Sequence, residues 1–123
     1  MVHLDTNTFI RFFTNDDPIK AKKVKQLLRD EKEILVNDVV FPEIEYVLKE
    51  LYSTKREKLI EAFKLIASLP NITLSSTVRK AVLLYEKTNL SMADCMIAVS
   101  SFGEKLASFD IRLLKAPGVK SYW

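Results

Sequence analysis

Cysteine and histidine are almost absent from this sequence. Its 123 residues include one cysteine, Cys95, and one histidine, His3. A single cysteine excludes an internal disulfide, and so few ligands exclude a zinc site built from cysteine and histidine side chains. A chain without disulfides is typical of a reducing compartment, so we expect a cytoplasmic protein.

Glycine, proline and long apolar stretches are also scarce. The chain has two glycines and four prolines, which leaves little room for long flexible loops. No stretch of about 18 apolar residues is present, so no transmembrane helix is expected. No apolar run follows a basic N-terminal stretch, so no signal peptide is expected either. The length predicts a single domain over residues 1–123.

The composition is that of a globular protein with a mild excess of positive charge. Hydrophobic residues make up 48% and charged residues 28% of the chain, which excludes a disordered protein. The formal net charge is +3 and the isoelectric point is about 9.0. This charge is compatible with a nucleic-acid partner but does not require one.

Short apolar segments alternate with amphipathic segments along the whole chain. Apolar character predicts strands ending near Asp5 and at 33–37, 71–74, 105–109 and 119–122. Apolar residues three to four apart predict helices at 7–13, from Pro18, and at 42–52, 54–68, 77–87 and 91–102. This alternation predicts an α/β protein, a three-layer α/β/α sandwich with a mostly parallel sheet of four to five strands.

Four acidic residues stand where strands end or the following helices begin. Asp5 and Asp110 come directly after predicted strands, whereas Glu43 and Asp94 lie in the first turns of predicted helices. In an open α/β sheet, ligands bind outside the carboxyl ends of the strands, where the following helices also begin. We therefore expect these four carboxylates to converge on one crevice.

Convergence of four carboxylates has a chemical consequence. Like charges within a few ångström repel and raise one another's pKa values, so such a cluster needs a cation inside it. Carboxylate and water oxygens suit Mg²⁺ or Mn²⁺. Such an ion lowers the pKa of a bound water and polarises a phosphodiester, and the carboxylates orient that water.

Each acid also has an ordinary structural interpretation. Asp94 lies three residues after Ser91, which matches a capping box and needs no metal. Glu43 is a favourable acid in the first turn of a helix. Asp5 is in a position to start a turn, and Asp110 to cap whatever follows it. Both interpretations stay open for each residue taken alone.

Four short motifs resemble those of a known family. They are Val2-His3-Leu4-Asp5-Thr6-Asn7, Asp38-Val39-Val40-Phe41-Pro42-Glu43-Ile44, Leu90-Ser91-Met92-Ala93-Asp94-Cys95-Met96-Ile97-Ala98 and Ala107-Ser108-Phe109-Asp110. In order and spacing they resemble PIN domains over nearly the whole chain, and in particular the VapC-type toxins of prokaryotic toxin–antitoxin pairs.

The resemblance implies a Mg²⁺- or Mn²⁺-dependent endoribonuclease that is often a homodimer and is inhibited by a cognate antitoxin. It implies that the catalytic, metal-binding acids are Asp5, Glu43, Asp94 and Asp110. It further implies that Asn7 and Ser108 are polar neighbours that position carboxylates or water. Hydrogen bonding at strand ends is the alternative role for both.

Two positions depart from the family pattern. Relatives often carry a further acid two residues after the last strand's aspartate, where this chain has Arg112. One acid fewer leaves open whether a second metal binds strongly. Relatives also often have glycine before the Leu-Ser motif, where this chain has Asn89. Asparagine tolerates left-handed backbone angles, so we expect little change there.

Two further features have competing interpretations. A basic run on one helix fits either an RNA backbone contact or, as we favour, a solvated face; it comprises Lys20, Lys22, Lys23 and Lys25. A group of aromatics fits either a base-stacking platform or, as we favour, core packing; it comprises Phe9, Phe12, Phe13 and Phe41.

Two other functions compete with the nuclease. A phosphatase with an aspartyl nucleophile would use a loop like Asp5-Thr6-Asn7-Thr8, but Asn7 stands where the second acid is needed. A non-catalytic module would bind RNA or a protein without cutting. Metal-dependent cleavage separates this second rival from the nuclease.

Overall fold

The computed structural model describes residues Met1–Trp123. The chain divides into two compact units, Met1–Ser75 and Ser76–Trp123. A single domain over residues 1–123 stays a prediction. None of the helices has the length and apolar character needed to cross a membrane.

The first unit alternates strands and helices. Its strands are β1 (Val2–Leu4), β2 (Ile34–Val36) and β3 (Ile72–Thr73). Its helices are α1 (Thr6–Thr14), α2 (Pro18–Asp30), α3 (Val40–Tyr52) and α4 (Arg56–Ser68). The strands pair in the order β1-β2-β3 and are all parallel, with β2 in the centre. Their carboxyl ends therefore share one edge, where α1 and α3 begin.

Local sequence fixes where these helices begin and end. The Asp17 side chain caps α2 by accepting a hydrogen bond from the Lys20 N–H at 3.1 Å, and Pro18 fills the first helical position. The residues that follow α1 and α3, Asn15 and Ser53, cap the helices with left-handed backbone (φ 53° and 51°). The helix α3 begins at Val40, two residues earlier than predicted, because Pro42 in its first turn needs no hydrogen-bond partner for its nitrogen.

The core of the first unit forms where α3 and α4 meet. The Phe41 and Phe63 rings are fully buried, and their centroids lie 5.8 Å apart. Phe9 of α1 is also buried, as is Ile34 of the central strand. Since both Phe9 and Phe41 are inside, the packing interpretation of these aromatics is confirmed for these two residues.

The second unit contains three helices and two short strands. They are α5 (Ser76–Lys87), α6 (Met92–Ser100), β4 (Lys105–Leu106), α7 (Ile111–Leu114) and β5 (Lys120–Ser121). The helix α6 packs against both α5 and α7. Cys95 on α6 is fully buried, as expected for a packing residue.

The predicted α/β class with parallel strands is confirmed. The strands β4 and β5 pair in parallel, with Leu106 opposite Ser121, so all five strands lie in parallel ladders, three in the first unit and two in the second. The strand β4 is shorter than the predicted 105–109, because the Ser108 hydroxyl accepts the Asp110 N–H at 3.0 Å and turns the chain away. The short helix α7 was not predicted.

A hydrogen-bonded group joins α1 to the end of α3 in the first unit. The Asp16 carboxylate accepts hydrogen bonds from the Tyr52 hydroxyl at 2.7 Å, the Thr14 hydroxyl at 3.0 Å and the Arg11 guanidinium at 3.1 Å. The Tyr52 hydroxyl is the largest cause that lowers the pKa of Asp16, from 3.8 to about 2. The charged form of Asp16 therefore stabilises the fold.

Replacing Tyr52 with phenylalanine should weaken this acid-sensitive contribution. Because the pKa of Asp16 is lower in the folded state, its carboxylate stabilises the protein at pH values above the ordinary pKa of 3.8. That stabilisation is lost as the pH falls through about 2. We expect Tyr52→Phe to unfold at lower urea concentration than the parent protein at neutral pH, and the difference to shrink towards about pH 2. Tyr46→Phe is the control, since the exposed Tyr46 makes no comparable bond. A difference independent of pH would contradict the role assigned to Asp16.

Candidate active site

Asp5 joins the end of β1 to the start of α1. It is the N-cap residue of α1, and its Oδ1 accepts hydrogen bonds from the Thr8 N–H at 3.0 Å and the Thr8 hydroxyl at 2.7 Å. The Thr8 hydroxyl, followed by the Thr8 N–H, lowers the pKa of Asp5 below its ordinary value. The side chain is therefore a fixed, charged carboxylate whose Oδ2 is left without a hydrogen bond.

Glu43 lies at the same edge of the first unit as Asp5. It is in the first turn of α3, and its Oε1 accepts a hydrogen bond from the Thr6 hydroxyl at 2.9 Å. Thr6 directly follows Asp5, so this bond connects the starts of α1 and α3. The structure thus brings two of the sequence-predicted acids to one edge of the sheet, and Glu43 keeps Oε2 unbonded.

An open cleft borders Asp5. Its volume is about 330 Å³, and its lining includes Asp5, Asn7, Arg11, Lys20 and Lys23. Asn7, a predicted neighbour of the acids, is exposed and lines this cleft. Of the basic run on α2, Lys20 and Lys23 face the cleft, whereas Lys22 and Lys25 do not line it.

Asp94 occupies the first turn of α6 in the second unit. Its backbone N–H donates to the hydroxyl of Ser91, the N-cap residue, at 3.1 Å. A complete capping box would also have the Asp94 carboxylate accept the Ser91 N–H. No such bond is present, so capping leaves both carboxylate oxygens of Asp94 unused.

Asp110 ends the segment after β4 and begins α7. Its Oδ1 accepts hydrogen bonds from the N–H groups of Arg112 at 3.0 Å and Leu113 at 3.3 Å, which makes it the N-cap residue of α7. Its own N–H donates to the Ser108 hydroxyl at 3.0 Å. Ser108 therefore fixes the backbone at Asp110, and Oδ2 of Asp110 remains unbonded.

Arg112 connects the chain segments that precede α6 and α7 in the second unit. Its guanidinium donates to the backbone carbonyl of Asn89 at 3.1 Å. Asn89 precedes the start of α6, and Arg112 lies two residues beyond Asp110. The bond holds the segment leading to Asp94 near the turn that carries Asp110, so Arg112 has a structural contact here.

The donor chemistry of these residues fits a hard divalent cation. All four acids offer at least one carboxylate oxygen that no hydrogen bond uses, and such oxygens are the ligands that Mg²⁺ and Mn²⁺ prefer. Within either unit alone, no three His, Cys, Asp or Glu side chains come close enough to hold a metal ion. Convergence of all four acids stays a prediction.

Two threonines at this site were not found by sequence reasoning. Thr8 fixes Asp5, and Thr6 reaches Glu43. The signal for Thr8 was present, since an N-cap aspartate bonds to the residue three positions later. No local pattern indicated the bond from Thr6 to Glu43, because the two residues are 37 positions apart.

Sequence comparison identifies relatives of the chain. A protein named VapC ribonuclease, from Aquifex aeolicus (strain VF5), is 26% identical over 104 residues, which cover 80% of this chain and 76% of that protein. No solved structure matches. The sequence model of the PIN domain matches residues 2–119. Because that match spans nearly the whole chain, the protein belongs to the PIN domain family.

Proposed function

We propose that this protein is an endoribonuclease that depends on Mg²⁺ or Mn²⁺. The cation would be held by the carboxylates of Asp5, Glu43, Asp94 and Asp110. The observation that carries the proposal is that the starts of α1 and α3 place Asp5 and Glu43 at one edge of the sheet, connected through the Thr6–Glu43 hydrogen bond, each with one carboxylate oxygen that no hydrogen bond uses.

The reaction is hydrolysis of a phosphodiester. The water loses a proton as its oxygen bonds to phosphorus, the bond from phosphorus to the leaving oxygen breaks, and that oxygen gains a proton. A divalent ion held by these carboxylates would polarise the phosphodiester and lower the pKa of a bound water. Asp5 and Asp110 contribute fixed geometry, because the helix caps that bind one oxygen of each also orient the other.

The charge around Asp5 supports an anionic substrate. Lys20 and Lys23 line the same cleft as Asp5 and Asn7. Lys23 makes no ion pair, and Lys20 makes a long one to Asp17 at 3.9 Å. Ammonium groups beside a carboxylate site favour the phosphates of a nucleic acid.

The named relative supports a proposal about the biological setting. We propose that this protein is the toxin of a type II toxin–antitoxin pair, acting in the cytoplasm as a homodimer and inhibited by its cognate antitoxin. The relative named VapC ribonuclease supports this role. A small neighbouring reading frame that encodes a DNA-binding protein would support the pairing.

Cleavage of RNA in the presence of metal tests the proposal. The purified protein should cut a short single-stranded RNA with Mn²⁺ and stop when EDTA is added. Glu43→Gln should lower that activity more than about 100-fold. Replacing a residue that only hydrogen-bonds to a metal ligand already lowers metal affinity or activity about 10- to 100-fold. Glu57→Gln is the matched control, because Glu57 is an exposed acid in the first turn of α4.

A different result would favour the non-catalytic module. Arg112, where relatives often carry an acid, is the residue that gives this rival its support. A well-folded protein that binds RNA but shows no Mn²⁺-dependent cleavage would overturn the nuclease proposal. Equal activity of Glu43→Gln and the parent protein would overturn the assignment of the site.

A further inference from the structure

Three exposed aromatic side chains form a cluster in the second unit, here called the aromatic platform. Phe109 is 88% exposed, Tyr122 61% and Trp123 69%. The Phe109 and Trp123 rings stack with centroids 4.9 Å apart and planes 14° apart, and Tyr122 meets Trp123 edge-on at 5.4 Å. Aromatic rings this exposed bury little of their surface in the fold, so their grouping on the surface points to a binding role.

The aromatic platform lies beside Asp110. Pairing of β4 with β5 continues one step further, because the Tyr122 N–H donates to the Leu106 carbonyl at 2.9 Å. This pairing brings Trp123 onto Phe109, the residue directly before Asp110. Anything stacked on the platform is therefore next to one of the proposed catalytic acids.

Positive charge lies on the two strands that lead to the aromatic platform. Lys105 and Lys120 are directly opposite each other in the β4–β5 pair, and neither makes an ion pair. Like charges in opposite positions are unfavourable unless an anion lies near them. Because side chains two apart in an extended strand share a face, Lys120 and Tyr122 project to the same side. The aromatic platform thus has the two components of a single-stranded nucleic-acid site, flat rings and nearby cations.

The same charges disfavour a second copy of this chain as the occupant. A two-fold contact through the aromatic platform would bring the same surface of both copies together. Lys105 and Lys120 of one copy would then approach their equivalents in the other. An anionic partner with flat, apolar faces fits this surface better.

We propose that the aromatic platform stacks bases of a single-stranded RNA substrate and holds it beside Asp110. The proposal deepens the nuclease function proposed above and rests on it. Phe109 is the most exposed ring and offers its free face to a base. Lys105 and Lys120 contact the backbone phosphates next to the stacked base.

Trp123 is the only tryptophan, so its intrinsic fluorescence reports on the aromatic platform alone. A short single-stranded RNA, added in EDTA so that it is not cut, should quench Trp123 emission. Phe109→Leu keeps an apolar side chain but removes the flat ring, and should weaken RNA binding by about fivefold or more. Phe109→Tyr should bind like the parent protein. Leu83→Ala, an exposed apolar change on α5, is the control and should leave the affinity unchanged.

Several results would overturn the proposal that the aromatic platform binds RNA. One is cleavage of RNA with Mn²⁺ by the parent protein without any quenching in EDTA, which would leave the nuclease proposal intact. Equal affinity of Phe109→Leu and the parent protein, with unchanged circular dichroism, is another. Equal quenching by an RNA duplex, whose bases are already stacked, is a third. Self-association that Phe109→Leu abolishes would instead assign the aromatic platform to a second copy.

Discussion

Asp94→Asn should reduce Mn²⁺-dependent RNA cleavage more than about 100-fold, since it removes charge from a residue proposed to bind the metal directly. Of the four acids, Asp94 is the one whose side chain the structure shows in no hydrogen bond. The Asp94 carboxylate takes no part in capping α6, so the helix keeps its bond from the Asp94 N–H to Ser91. We therefore expect the loss of activity without a loss of fold.

The stability of Asp94→Asn shows whether a loss of activity comes from the site or from unfolding. On the proposed convergence of the four acids, removing one carboxylate relieves repulsion and should leave the metal-free protein as stable as the parent protein, or more stable. Thermal unfolding in EDTA measures this directly. Asp30→Asn is the control, because Asp30 is an exposed acid at the end of α2 and should keep full activity. Cleavage at the parent rate by Asp94→Asn would remove Asp94 from the site.

Phe41→Ala should produce the largest loss of stability, about 3–5 kcal/mol. Phe41 is fully buried, and its ring packs against Phe63 of α4. A small domain has a free energy of unfolding of only about 5–15 kcal/mol, so this loss is a large share of the total. Urea unfolding followed by circular dichroism measures it.

Two comparisons sharpen the Phe41 prediction. Phe41→Leu keeps most of the apolar volume and should cost much less than Phe41→Ala. Phe102→Ala should also cost less, since Phe102 is 38% exposed. If Phe41→Ala were as stable as the parent protein but bound RNA poorly, the stacking interpretation of Phe41 would return and the packing interpretation would be wrong.

The sequence was informative wherever a local rule applied. Pro18 marked the start of α2, and alternation of apolar and amphipathic segments predicted the parallel α/β class. The predicted strand end at Asp5 was correct, whereas the strand predicted to reach Phe109 ends at Leu106, although Asp5 and Asp110 both cap the helices that follow them. Capping is a property of a few neighbouring residues, so a sequence can reveal it.

Features that depend on distant residues were not predictable in this way. The bond from Thr6 to Glu43 depends on the pairing of β1 with β2, which no single segment encodes. The division of the strands into ladders of three and two is likewise a matter of tertiary structure. The helix α7 spans four residues, too few for a helical repeat of apolar positions to appear.

The sequence predicted the environment of some aromatic residues but not of others. Phe9 and Phe41 lie on helices with regular apolar spacing, and that spacing correctly indicated burial. Phe109 stands in a predicted strand, and Trp123 lies just beyond one, so neither showed the pattern of an exposed pair. Their stacking arises only when β5 pairs with β4.

The contact between Arg112 and Asn89 has a consequence for how the second unit works. The guanidinium donates to the Asn89 carbonyl at 3.1 Å, and its own backbone N–H donates to Asp110 at 3.0 Å. Arg112 thus connects the segment before α6 to the segment before α7 by hydrogen bonds. The backbone segments that carry Asp94 and Asp110 are therefore joined before any substrate arrives, so binding of one ion by both residues, as proposed above, would need to order less of the chain.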